Sequence, residues 1–164
     1  MKIKNIIIVA VFMSIMWVGI IQTAAASDLI VVATKDTYEA SQKWVDFLTL
    51  NEVPIQHVTP QEFDKYKKEP YVVLMGGMDE PDGIKVLARE ILAEDELEYV
   101  SQKGNGEIYF KFKVFDPMQT IIVFAGSDRA AAAAARKKNK NPWLNSFIQW
   151  FDLDMEMEHK FHTY

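Results

Sequence analysis

The chain has 164 residues, of which 18 are basic and 23 acidic, for a net charge of −5. That balance argues against nucleic acid or anionic lipid as a partner, since both are recognised through basic patches. It has no cysteine, which excludes disulfides, a thiol nucleophile, thiolate metal sites and a lipid-modified cysteine.

Residues 1–26 read as a secretory signal. Lys2 and Lys4 form a basic start, Ile6 to Ile21 is apolar apart from Ser14 and Gly19, and Ala24, Ala25 and Ala26 supply the small residues a signal peptidase reads. The apolar stretch is shorter than the roughly 20 residues of a spanning helix. Cleavage before Ser27 leaves 16 basic against 23 acidic residues, a net charge of −7. The expectation is an extracytoplasmic protein, secreted, periplasmic or cell-surface, with no membrane span after cleavage. Residues 27–151 form a single domain, and 152–164 an acidic, flexible tail.

Leu29 to Ala33 is the first predicted strand. Asp36 or Thr37 can cap a helix over Tyr38 to Leu50, in which Ala40, Trp44, Phe47 and Leu48 make one buried stripe and Asn51 is a stop. Val53 to Val58 is a short strand that Pro54 suits to a sheet edge. Thr59-Pro60-Gln61-Glu62 starts a short helix carrying Phe63 and Tyr66. Tyr71 to Met75 is the third strand. From about Asp82, which can cap it, an amphipathic helix places Ile84, Leu87, Ala88, Ile91 and Leu92 on one face. Glu94 to Glu98 reads as a solvated acidic turn.

Lys103 to Gly106 is a turn into a strand over Glu107 to Phe115. Here Ile108, Phe110, Phe112 and Val114 alternate with Tyr109, Lys111 and Lys113, and the lysines guard an edge. Asp116-Pro117 turns into Thr120 to Ala125, expected antiparallel to its predecessor. Ser127 or Asp128 caps a helix over Arg129 to Lys138, made slim by six alanines and ended by three cations that suit the helix dipole. Asn141-Pro142 starts the last helix, with Trp143, Phe147, Trp150 and Phe151 on one face. That face either packs on the sheet or forms an interaction surface.

Two segments share one build: an apolar run ending in glycine, an acidic residue, then a helix. They are Tyr71 to Gly77 followed by Asp79, and Thr120 to Gly126 followed by Ser127 and Asp128. Such junctions predict an α/β fold: a three-layer, Rossmann-like or flavodoxin-like sandwich on a mostly parallel sheet of about five strands with one antiparallel edge strand.

No phosphate-binding loop of the Walker type, no G-x-S-x-G elbow and no H-E-x-x-H occurs, and Gly104-Asn105-Gly106 is a hairpin turn rather than a dinucleotide fingerprint. No cofactor and no metal site is expected. His57 reads as packed at a strand end, and His159 and His162 as tail residues. Asp79-Glu80-Pro81-Asp82-Gly83 concentrates carboxylates without the spacing of an EF-hand loop. In an open parallel sheet, ligands sit beyond the carboxyl ends of the strands. Those ends carry Thr34, Lys35 and Asp36; Gly76, Gly77 and Asp79; and Ser127, Asp128 and Arg129. These residues are either a ligand or cation site or ordinary caps and turns. A hydrolase or transferase would need Asp36, Asp79 and Asp128 to converge, and no nucleophile–base pair is readable.

Val72-Val73-Leu74-Met75-Gly76-Gly77 resembles the strand and Gly-Gly element of archaeal S-layer protein domains. Gly106-Glu107-Ile108, Phe115-Asp116-Pro117 and Ile121 to Ala130 resemble the later part of the same domain, in that order, so that the likeness spans about residues 70–136. This chain differs in having Gly77-Met78-Asp79-Glu80-Pro81 for the family's Gly-Gly-Pro and following Asn-containing segment, and Ala130-Ala131 for its Gly-Thr. The resemblance implies a stand-alone, envelope-associated, non-catalytic α/β domain without a cofactor, and it assigns no catalytic residue. The expected function is protein–protein interaction, with an envelope protein or by self-association. A small-ligand or cation module using the strand ends is the alternative.

Overall fold

A computed structural model of the chain describes residues 27–152. Residues 1–26, read from the sequence as a secretory signal, together with His159, His162 and nearly all of the expected tail, lie outside the described residues. Five strands, β1 (Leu29–Val32), β2 (Ile55–Val58), β3 (Tyr71–Gly77), β4 (Gly106–Phe112) and β5 (Thr120–Gly126), form one sheet in the order β2-β1-β3-β5-β4. The first four in that order are parallel, and β4 runs antiparallel to β5 at the edge.

Helices cover both faces, so β1, β3 and β5 are apolar at nearly every position and buried on both sides. Leu29, Val31, Val73, Met75, Ile122 and Phe124 point toward α2 (Gln42–Leu50) and α6 (Lys140–Phe151). Ile30, Val32, Val72, Leu74, Ile121 and Val123 point toward the 3-10 helix (Pro60–Tyr66), α3 (Lys85–Ile91) and α4 (Glu94–Ser101). The sheet therefore divides the core into two, giving the three-layer α/β sandwich that the strand–glycine–helix junctions predict.

The alanine helix α5 (Arg129–Lys138) shows how sequence sets packing distance. Gly106 and Gly126 face each other across the β4–β5 ladder. A Cβ on Gly126 would lie 2.3 Å from the Ala132 nitrogen, and one on Gly106 would lie 2.3 Å from the Ala131 oxygen. Two glycines below and a run of methyl groups above let the helix backbone approach the sheet directly. Because the obstruction is backbone and cannot rotate away, Gly126→Ala should cost about 3 kcal/mol of stability in urea unfolding. A cost under about 1 kcal/mol would mean that α5 lifts off freely.

Several local expectations are corrected. The first helix begins earlier and is interrupted. Thr34, not Asp36 or Thr37, is its cap, its hydroxyl accepting from the Thr37 N–H, and the helix breaks at Ser41 into α1 (Lys35–Ala40) and α2. That break leaves Ala40 exposed and brings Val45 into the buried stripe with Trp44, Phe47 and Leu48. Asp82 does not cap α3, which starts beyond it, and its φ is 54°. Glu94 to Glu98 is the first turn of α4, not a loop. Acids are favoured there by the helix dipole, and Glu96 accepts from the Ala93 N–H at 2.7 Å. Strand β4 stops at Phe112, and Lys113 turns with φ 56°. The alternation ends there: Phe112 is exposed, while Val114 joins the core on the opposite face from Ile108 and Phe110. Lys111 does not stand free at the edge but is paired with Glu96.

Gln119, buried in the β4–β5 loop, was not singled out by sequence. Its side-chain amide donates to the Lys67 and Glu69 carbonyls at 2.6 and 2.9 Å and accepts from the Phe115 N–H at 3.1 Å. It ties the loop before β5 to the loop before β3.

Candidate functional site

From β1 the chain moves outward to β2, then crosses back to β3 on the other side of β1. The order reverses between β1 and β3, and the crevice at their carboxyl ends is where this class of sheet takes a ligand. In this protein a side chain of its own fills the place. The Glu80 carboxylate, 8% exposed, receives the Thr34 hydroxyl at 2.8 Å, and the Thr37 hydroxyl lies 2.8 and 2.7 Å from its two oxygens. The Gly77 N–H donates to it at 3.1 Å and the Arg129 Nε–H at 3.4 Å.

Each donor is placed by local structure. Thr34 caps α1 and Thr37 lies in its first turn, so both hydroxyls face the crevice from one side. Gly77 ends β3, where the backbone passes too closely for a side chain: a Cβ there would meet Asp128 backbone at 2.7 Å. Arg129 begins α5 behind its cap, Asp128, whose carboxylate accepts from the Ala131 N–H at 2.8 Å. Burial alone would raise the pKa of Glu80. The hydrogen bonds from Thr37, Gly77 and Thr34, together with Arg129, outweigh it and hold the carboxyl below its usual value.

The candidate residues of the strand ends thus separate into two groups. Thr34, Gly77 and Arg129 converge on Glu80, with Gly76 beside them. The others serve locally or face solvent. Lys35 is exposed beside Glu39, and Asp36 reaches Arg129 at 3.9 Å. Asp79 is exposed, and the Ser127 hydroxyl accepts from the Gly104 N–H at 2.9 Å. Asp36, Asp79 and Asp128 are each engaged differently, and among the described residues no group of three acids or histidines is gathered to hold a metal. His57 stacks on Tyr38 at 4.0 Å with its Nε2 3.0 Å from the Ala33 carbonyl.

Glu80 and Thr37 were the residues sequence reasoning passed over as site members. Their signal was present but weak: two threonines one turn apart at the end of the first strand, and a glutamate three residues after the glycine pair ending the third.

What space remains beside Glu80 is small. A cavity of about 30 Å³ lies between α1, α5 and the ends of β3 and β5, bounded by Thr37, Ser41, Met75, Gly76, Arg129 and Arg136. That is room for about one water molecule. Arg136 closes its far end with the guanidinium over the rings of Trp44 and Phe124, 5.3 and 6.0 Å from their centroids. Burial lowers the pKa of that group to about 10.

The aromatic face of α6 is used inside the protein. Trp143 and Phe147 are buried against Trp44 and Phe124. Trp150 stacks on Tyr71 at 4.8 Å, and Phe151 meets the same ring edge-on at 5.4 Å. Among the described residues, no helix is long and apolar enough to cross a membrane. Comparison with family models, with curated proteins and with solved structures returned no match.

Proposed function

We propose that this chain is a non-catalytic domain of the cell envelope that acts by contact with another protein, in the manner of a stand-alone S-layer-type domain. The observation that carries the reading is the Glu80 carboxylate lodged at the switch point of the sheet. It satisfies the hydroxyls, the amide and the guanidinium that would otherwise receive an anionic ligand. A fold of this kind whose ligand crevice is closed by its own side chain serves as a rigid scaffold. The signal-like first 26 residues and the sequence resemblance of residues 70–136 to S-layer domains support an extracytoplasmic compartment in this reading.

Two measurements test this. A thermal-shift series with nucleotides, sugar phosphates and divalent cations should leave the melting temperature within about 1 °C. A real ligand at a hundred times its Kd would add about 2.7 kcal/mol, on the order of 10 °C for a domain this size. Such a shift would establish the small-ligand alternative instead. Purified chain should also bind isolated envelopes saturably, and protease treatment of those envelopes beforehand should remove the binding. Binding that survives protease would point away from a protein partner.

A further inference from the structure

Strand β4 forms one edge of the sheet and has seven residues, against four in β2 at the other edge. In an antiparallel pair every second residue bonds to the neighbouring strand. At either end of β4 the Ser127 N–H donates to the Asn105 carbonyl and the Lys113 N–H to the Gln119 carbonyl, so the odd-numbered residues between them face β5. The backbone N–H and C=O groups of Gly106, Ile108, Phe110 and Phe112 therefore point away from the sheet. Among the described residues no strand pairs with them. The Ile108 N–H meets the carboxylate of its own neighbour Glu107 at 3.0 Å. Devices that usually protect an edge do not protect this one. Lys111 is turned onto Glu96 of α4, Lys113 leaves the strand with φ 56°, and β4 contains no proline. An apolar row of Ile108, Phe110 and Phe112 runs along one side of the edge, and its last ring is 66% exposed.

We propose that this edge pairs with the same edge of a second copy of the chain, antiparallel, about a two-fold axis at Tyr109, giving one sheet with five strands from each copy. The pairing rests on the protein-contact reading above and gives it a surface and a partner. The strand is its own complement. Antiparallel pairing sets outward-facing residues opposite outward-facing residues, and centring on Tyr109 does so with all seven residues of β4 paired. Ile108 then exchanges both backbone bonds with Phe110 of the second copy, and Gly106 with Phe112. On that face Ile108 and Phe110 make an apolar pair on each side of the axis. Exposed Phe112 comes to lie beside Gly106 of the second copy, against the alanines of the α5 that packs on that glycine. On the other face Glu107 stands opposite Lys111 of the second copy, twice, and opposite charges at facing positions stabilise a strand pair. The Lys111 ammonium has three donors, so it receives Glu107 while keeping Glu96. The Ile108 N–H passes from Glu107 to a backbone carbonyl, which frees that carboxylate. Because the contact consumes the same edge in both copies, assembly closes at two chains.

The chain has no cysteine, so introduced cysteines report the register. Full chain carrying Glu107→Cys is mixed with full chain carrying Lys111→Cys and oxidised. The two positions face each other as a non-hydrogen-bonded pair, with Cα atoms about 4.5 Å apart, inside disulfide range. In either variant alone the two cysteines are offset by about 14 Å along the strands, out of range. The mixture should give at least about five times more disulfide-linked dimer than either variant alone, from the raised local concentration. The natural chain, with no substitution to tolerate, should show twice the single-chain mass by light scattering at about 100 μM, a hundred times the Kd of a micromolar contact. Equal disulfide yields from the mixture and the separate variants would overturn the proposal, as would a single-chain mass at that concentration. A mass that climbs past two chains with concentration would mean open edge-to-edge growth and likewise overturn it. A single chain that still binds envelopes would overturn this pairing and leave the protein-contact reading standing. A dimer of this register that binds no envelope would sustain the pairing and count against an envelope partner.

Discussion

Glu80→Ala should destabilise the protein by about 3 kcal/mol in urea unfolding, the cost of stranding buried partners of a charged group. The change leaves the Thr34 and Thr37 hydroxyls and the Gly77 N–H without their acceptor. Arg129 loses least, because it is 41% exposed and keeps Asp36 nearby. Glu80→Gln should cost less, since one oxygen survives to accept. It should also change the response to acid. The folded-state pKa of Glu80 is lowered, so its contribution is fully present above the unfolded value, about 4.3. It is then lost as pH falls through the lower folded value. The stability gap between natural protein and Glu80→Gln should therefore be widest near neutrality and shrink as pH drops below about 4.3. A gap that stays constant down to pH 3 would mean that the carboxylate is not charged, or not held, as the structure has it.

Trp143→Ala should cost about 4 kcal/mol, in the range of large aromatic truncations in a packed core. Trp143 is 2% exposed, and its ring lies 5.5 to 6.3 Å, centroid to centroid, from Phe147, Phe124 and Trp44. Its indole N–H donates to the Arg136 carbonyl at 3.0 Å, tying α6 to the end of α5. Truncation removes that bond along with the packing and leaves a void that three other aromatics cannot close without leaving their rotamers. Trp150→Ala, removing a half-buried ring stacked on Tyr71 alone among the sheet residues, should cost about 1–2 kcal/mol. The contrast discriminates core from interface. A Trp143→Ala protein of near-natural stability would return the α6 face to the role of an interaction surface.

The fold was legible because its signals were of two strong kinds. Strands buried on both faces have little choice but continuous apolar sequence, and β1, β3 and β5 have it. The helices α3 and α6 present a full apolar stripe at helical spacing. Breaks were harder to read. Nothing in the run from Lys35 to Leu50 marks Ser41 as an interruption, since the apolar period continues through it. Strand β4 misleads for a similar reason: the alternation runs on to Val114, but the backbone turns at Lys113, and a single turn exchanges the two faces. The site was half visible. Topology located the carboxyl ends of the strands and named Thr34, Gly77 and Arg129. The residue that organises them, Glu80, lay within an acidic stretch where capping explained every charge. What a carboxylate touches across 46 positions of chain, as Glu80 touches Thr34, has no local signature.

The antiparallel pairing of β4 with β5 bears on how the chain reaches its folded state. These two strands are joined by a short loop and can zip together on the microsecond scale, like any hairpin. Every parallel pairing in the sheet must instead wait for a distant stretch of backbone to be brought round, an entropic delay that slows folding. Strand β5 can therefore arrive at its interior berth already escorted, one edge occupied by β4 and the other open to β3. Gln119, bonded to the loop before β3, then acts as an alignment pin for the incoming pair. A slip by one residue would have to break that pin before it could turn Ile121 and Ile122 toward the wrong halves of the interior.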